Sequence, residues 1–83
     1  TSWSILGHTA KVLEERRDDY GEPADQFKMI ADRWSITLGT PVTPAQVALC
    51  MIDLKLTRLS YDPRHADSVV DVIGYAALLR EIG

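Results

Sequence analysis

Two aspartates, Asp67 and Asp71, lie four residues apart in a segment otherwise dominated by valine, isoleucine, alanine and leucine. At that spacing two carboxylates stack on one side of a helix, with Tyr75 one further turn along. Burying an unpaired carboxylate is expensive, so each acid needs water, a cation or a metal ion. One chemistry that fits is a Mg2+ or Mn2+ site, since Mg2+ is commonly held by one or two carboxylates together with substrate phosphates and water. A neighbouring apolar segment supplies the matching cations: Lys55 and Arg58, three apart and on one face, could receive phosphate oxygens, while Asp53 points elsewhere. A plainer reading uses the same residues structurally. Asp67 then caps its helix, its charge favoured by the helix N-terminus, and Asp71 pairs with Arg58 or Lys55.

The run Arg16-Arg17-Asp18-Asp19-Tyr20-Gly21 is a second constellation. Arg17 or Arg16, followed by an aromatic and a glycine, could form a phosphate fork beside a stacking surface for a base. Its plainer alternative is a solvated helix end with mixed charges and a glycine stop. Other reactive residue types offer less. Cys50 sits in a wholly apolar run with no adjacent base and is expected to be an inert buried thiol. Ser68 is not expected to be a nucleophile, because nothing near it in sequence would activate it. His8 and His65 lack ligand partners at helical spacing, although His65, two residues before Asp67, is a candidate supporting residue. Trp34 and Phe27 fit a core stripe, and Trp3 is expected to tether the first helix.

These residues sit on four helical segments in a chain of 83 residues, which allows a single domain over 1–83. The first segment has Ser4 or Ser2 as its cap, places Ile5, Leu6, Thr9, Val12 and Leu13 on one stripe, and stops at Tyr20-Gly21. Pro23 opens the second, whose stripe is Phe27, Ile30, Ala31, Trp34 and Leu38 and which ends at Gly39. Thr43-Pro44 opens a third that runs to about Leu59, before Tyr61-Asp62-Pro63 breaks it. The fourth runs from about Ala66 to Ile82. No strand-like alternation competes, so the expected fold is all-α, a four-helix bundle-like domain. The third and fourth helices are apolar all round: Val47 to Ile52 is an unbroken apolar run, and at 100° per residue it circles the helix. A chain this short covers two such helices poorly, and a dimer or larger oligomer with these helices at the interface is expected. The alternative is a monomer that wraps the first two helices around the pair.

Composition bounds the partners. A net charge of -3 argues against binding a nucleic-acid polymer, which calls for a basic face. The longest apolar run is far too short to span a membrane. A single cysteine forms no disulfide within the chain and no thiolate cluster for zinc. No signal-like pattern opens the chain, and a start at Thr1 without Met points to a trimmed N-terminus. The expectation is a reduced, cytoplasmic protein.

Several strings together resemble a known group. They are Arg17-x-x-Tyr20-Gly21, Phe27-x-x-Ile30-Ala31-x-x-Trp34, Thr43-Pro44 leading to Val47-x-x-x-Met51-x-x-x-Lys55-x-x-Arg58, and Asp67-Ser68-x-x-Asp71-x-x-Gly74-Tyr75-Ala76. From about residue 5 to 82 the chain looks like small phage and prophage proteins described as MazG-like. MazG-type proteins are all-α nucleoside triphosphate pyrophosphohydrolases, helical dimers or tetramers that use Mg2+ bound by a Glu-Glu-x-x-Glu helix and a Glu-x-x-Asp helix. Here Ser68 to Asp71 is similar to the second motif, with Ser68 in place of the glutamate and Asp67 beside it as a substitute. Glu14-Glu15-Arg16-Arg17-Asp18 is similar in letters to the first, but lies two helices away rather than one. The resemblance therefore implies a metal set of Asp67, Asp71, Glu15 and Asp18, with Asp71, Asp67 and Glu15 catalytic. It also implies that Arg17, Tyr20, Lys55, Arg58 and Tyr75 face an NTP or dNTP, in a homodimer or homotetramer in the cytoplasm of a bacterial host. Acids are scarce beside the cations of the apolar helices, which keeps open a non-catalytic nucleotide-binding or sequestering protein. A helical interaction module with every charge paired structurally is the third possibility.

Overall fold

Each helix of the computed structural model begins and ends where side-chain chemistry dictates. Residues 1–82 are described, positions 19 and 20 by their backbone alone. Helix α1 spans Ser2–Tyr20, α2 Pro23–Leu38, α3 Pro44–Tyr61 and α4 Ala66–Ile82. No strand occurs among the described residues.

The cap of α1 is Thr1 rather than Ser2 or Ser4. Its hydroxyl accepts from the Ser4 backbone N–H at 3.2 Å, which places Ser4 inside the first turn. At the other end Gly21 adopts φ 82, and its N–H donates to the Arg17 carbonyl at 2.9 Å. Pro23 then occupies the first turn of α2, where its missing N–H costs nothing. Gly39 ends α2 in the left-handed conformation, with φ 70. Ser35 secures the following loop: its hydroxyl donates to the Ala31 carbonyl at 2.7 Å and accepts from the Val42 N–H at 2.8 Å. Thr43 and Gln46 form a reciprocal capping box at the start of α3, with bonds of 3.1 and 2.9 Å. That helix continues to Tyr61, two residues past Leu59. At α4 the cap is His65, not Asp67. Its Nδ1 accepts from the Ser68 backbone N–H at 3.2 Å, and Asp67 lies in the first turn, where its charge faces the positive end of the helix.

Helix α4 is the hub, packing against α3 most extensively and also against α1 and α2. Phe27, Ala31, Val47, Ala48 and Leu78 make the buried centre, and Trp34, Met51, Tyr75 and Leu79 pack around it. Phe27 and Trp34 thus occupy the core stripe expected of them. Helix α1 comes close to α4 at Gly74, where a Cβ would lie 2.9 Å from Leu13 Cδ2, the end of a flexible side chain.

The arrangement is open. Its radius of gyration is 13.5 Å, against about 12 Å for a compact domain of this length. Helix α4 is largely enclosed, with Val70 and Leu78 buried, whereas α3 keeps Leu49, Leu54 and Leu56 exposed. Cys50 lies on this uncovered side and is exposed, contrary to the expectation of a buried thiol. A run that is apolar all round carries no phase, so it does not say which positions face the core. Trp3 is 83% exposed and tethers nothing.

Candidate functional site

Asp71 lies in the second turn of α4, next to the fully buried Val70 and one turn before Gly74, on the side that meets α1 and α3. Two cations converge on it. Arg16 Nη1, from the last part of α1, donates to Oδ1 at 2.8 Å. Lys55 Nζ, from the middle of α3, reaches Oδ2 at 3.0 Å. The three side chains differ in access to water: Asp71 is 10% exposed, Lys55 12% and Arg16 45%. Burial pushes the Asp71 carboxyl up, but the hydrogen bonds from Lys55 and Arg16, reinforced by their charges, outweigh it and hold the group below the ordinary aspartate value of 3.8. Two positive charges against one negative leave the cluster with one cation in excess.

Beside this cluster opens a cleft of about 320 Å3 between the end of α1, the start of α2 and the middle of α4. Leu13, Phe27, Gly74, Tyr75 and Leu78 line its apolar part. Phe27 and Tyr75 form a tilted aromatic pair there, with ring centroids 5.8 Å apart at 37°. Arg16 and Arg17 line it together with Asp71, Glu22 and Glu81. Arg17 Nε stands 3.8 Å from Glu22 Oε1, both side chains well exposed, so this pair is weak and easily exchanged. The backbone turn at Gly21 brings the start of α2 around to close one side of the cleft.

Of the residues singled out from the sequence, Asp71 and Lys55 come together, and Arg17, Tyr75 and Asp71 line one cleft. Asp67, Glu15 and Asp18 are exposed. Arg58 is not a partner of Asp71; it lies with Thr57, Tyr61, Asp62 and His65 around a shallow depression near the α3–α4 turn. The Tyr20 side chain lies outside the described residues. No group of three or more His, Cys, Asp or Glu stands in position to hold a metal ion among the described residues. The donor set does not fit Mg2+ or Mn2+ here, because both oxygens of its central acid are engaged by cations.

Two residues gain roles that the sequence reading did not give them. Arg16 is the second partner of Asp71. Its signal was the stripe Thr9–Leu13, which projects onto Arg16 one turn later. Ser68 is buried and has His65 Nδ1 at 2.7 Å from its hydroxyl. A base is therefore adjacent after all, yet the contact completes the start of α4 and leaves the Ser68 oxygen closed off from any substrate.

The fold and this cleft define a small all-helical domain with a charged, partly aromatic pocket. Over residues 4–83 the chain matches the family described as Domain of unknown function (DUF6378), and it belongs to that family. It is 36% identical over 81 residues to the Gene 55 protein of Mycobacterium phage L5, covering 95% of this chain and 52% of that protein. To the Gene 55 protein of Mycobacterium phage D29 it is 35% identical over 82 residues, covering 98% of this chain and 54% of the relative. The chain thus spans about half the length of these relatives. No solved structure matches it. These relationships join the chain to phage proteins and carry no tie to the MazG type. No helix among the described residues is long and apolar enough to cross a membrane.

Proposed function

We propose that this domain binds a nucleotide without hydrolysing it, and that its cleft is the binding site. The observation that carries the reading is the pair of arginines at the cleft: Arg16 and Arg17 both line it, Arg17 held by a distant, exposed Glu22, and the buried carboxylate beside Arg16, Asp71, has a second cation in Lys55. An anionic group is favoured at Arg16 and Arg17, and a flat ring is favoured against the Phe27–Tyr75 wall. The cleft volume of about 320 Å3 falls at the small end of ligand pockets, roughly 300–1,000 Å3, which suits a mononucleotide with few phosphates. In a phage protein acting in the bacterial cytoplasm, such a site would sequester a host nucleotide or a nucleotide-derived signal.

Pyrophosphohydrolysis of an NTP or dNTP is supported less well. It calls for Mg2+ or Mn2+ held by several carboxylates, and Asp67, Glu15 and Asp18 are exposed acids that form no such group with Asp71. A melting scan against the common nucleoside mono- and triphosphates, with Mg2+, with Mn2+ and with chelator, separates the readings. A ligand at 100 times its Kd adds about 2.7 kcal/mol of stability. In a domain this size that is a rise in Tm of roughly 10–20 °C. Binding predicts a rise for at least one nucleotide that persists in chelator, with no pyrophosphate released. A rise confined to metal, accompanied by pyrophosphate, favours hydrolysis, and no rise with any nucleotide removes both.

The domain is also proposed to self-associate, as a homodimer or homotetramer, through the outer face of α3, where Leu49 and Leu56, two turns apart, are exposed. Sedimentation should find the oligomer, and Leu49→Asp with Leu56→Asp should yield a monomer; a monomeric wild type refutes the proposal.

A further inference from the structure

We infer that Asp71 is an internal competitor for the cleft's ligand: its carboxylate holds Arg16 in the unliganded protein, and Arg16 leaves it for the ligand's phosphate while Lys55 stays. The inference rests on the reading of the cleft as a nucleotide site, and assigns within that site the residue that limits affinity.

The asymmetry of the two ion pairs carries the argument. Asp71 offers one oxygen to each cation, Oδ1 to Arg16 and Oδ2 to Lys55. Lys55 is almost fully covered, comes from α3, and does not line the cleft. Arg16 is 45% exposed, comes from α1, and does line it. The pair with Lys55 is thus shielded from water and the pair with Arg16 is not, so the second is the one that exchanges easily. One retained cation is enough to compensate the buried carboxylate, and releasing Arg16 therefore strands no charge. Were Lys55 absent, Arg16 would be the sole counter-ion of a nine-tenths buried acid, and moving it would leave that acid unpaired. Arg16 also has the chemistry for the exchange: its contact with Asp71 is a single N–H···O bond, and a guanidinium carries the donors to meet a phosphate in a forked manner. Glu22 relates to Arg17 in a weaker version of the same way, at 3.8 Å and in open water. Of the two acids paired with the cleft's arginines, Asp71 is therefore the one whose removal changes binding most.

The test is calorimetric titration of the full chain with inorganic phosphate and with adenosine, guanosine, cytidine and uridine monophosphates, in chelator. Asp71→Asn keeps the side-chain shape and removes the competing charge. Asp71→Asn/Lys55→Met has the same net charge as the wild type, so any gain it shows comes from freeing Arg16 and not from a more positive cleft. Both variants are expected to bind the best of these probes about tenfold tighter than the wild type, while Lys55→Met alone binds several-fold more weakly. Circular dichroism confirms the helical fold of each, and if Asp71→Asn alone proves unfolded the charge-matched double variant decides. A double variant that binds no tighter than the wild type overturns the inference and leaves the cleft assignment standing. Binding of no probe by the wild type or by the double variant overturns both.

Discussion

Asp71→Asn should cost the fold about 2 kcal/mol, and the second substitution Lys55→Met should restore most of it. Breaking a buried ion pair from one side commonly costs about 3–5 kcal/mol, because the other charge is left unpaired in a poor solvent. Here the cost is smaller for two reasons. Arg16 is nearly half exposed, so water screens it and its share is about 0–1 kcal/mol. The asparagine oxygen also still accepts one hydrogen bond. What remains is mainly Lys55, whose side chain is 12% exposed and has nowhere to put its charge. For a domain of this size about 2 kcal/mol corresponds to a fall in Tm of roughly 8–16 °C. Adding Lys55→Met removes the stranded ammonium and substitutes an unbranched apolar chain of similar length, bringing stability to within about 1 kcal/mol of the wild type. Urea denaturation followed by circular dichroism measures all three proteins, and the double-mutant cycle isolates the coupling. A loss below about 0.5 kcal/mol for Asp71→Asn, or a double variant less stable than the single one, refutes the assignment of Lys55 as the buried partner.

The pH dependence follows from the same cluster. Asp71 titrates below its ordinary value of 3.8 in the folded protein, so the stability it contributes is fully present above that value and is lost as pH falls through the folded value. Acid titration of Tm should therefore show a steeper decline below about pH 4 in the wild type than in Asp71→Asn/Lys55→Met. Gly74→Ala should change stability by less than about 1 kcal/mol, since alanine's helix propensity offsets the displacement of the flexible Leu13 end. Because Leu13 also lines the cleft, the same substitution should weaken nucleotide binding several-fold in a titration. Unaltered affinity would place the ligand elsewhere.

Helix ends were largely legible in the sequence. Pro23, Gly39 and the Thr43-Pro44 pair each act within a single turn, so their meaning does not depend on tertiary contacts. That Asp71 pairs with a cation of the third helix was legible as one of two readings, because a charge in an apolar helix must find a partner, but the sequence left Arg58 and Lys55 equal and the packing of α3 on α4 selects Lys55. Arg16 was harder, since it lies one turn past the last apolar residue of its stripe and only the continued phase of that stripe separates it from the charged residues around it. Cys50 was misread for the converse reason, as an apolar run without phase hides its outward face. His65 as the cap of α4, in place of Asp67, depends on the turn that follows Pro63, where the His65 N–H donates to the Asp62 carbonyl. The acids that a metal centre would need share letters with a motif, but their helices do not bring them together.

On the proposed reading, the cleft binds a nucleotide through Arg16 and Arg17 without a metal ion. Calorimetric titration of the wild type and of Arg17→Ala with the nucleoside monophosphates, each in Mg2+ and in chelator, addresses it most directly. At least one nucleotide is expected to bind with the same affinity in both conditions, with a several-fold loss in Arg17→Ala. Binding that vanishes in chelator, or an Arg17→Ala variant that binds like the wild type, would contradict it.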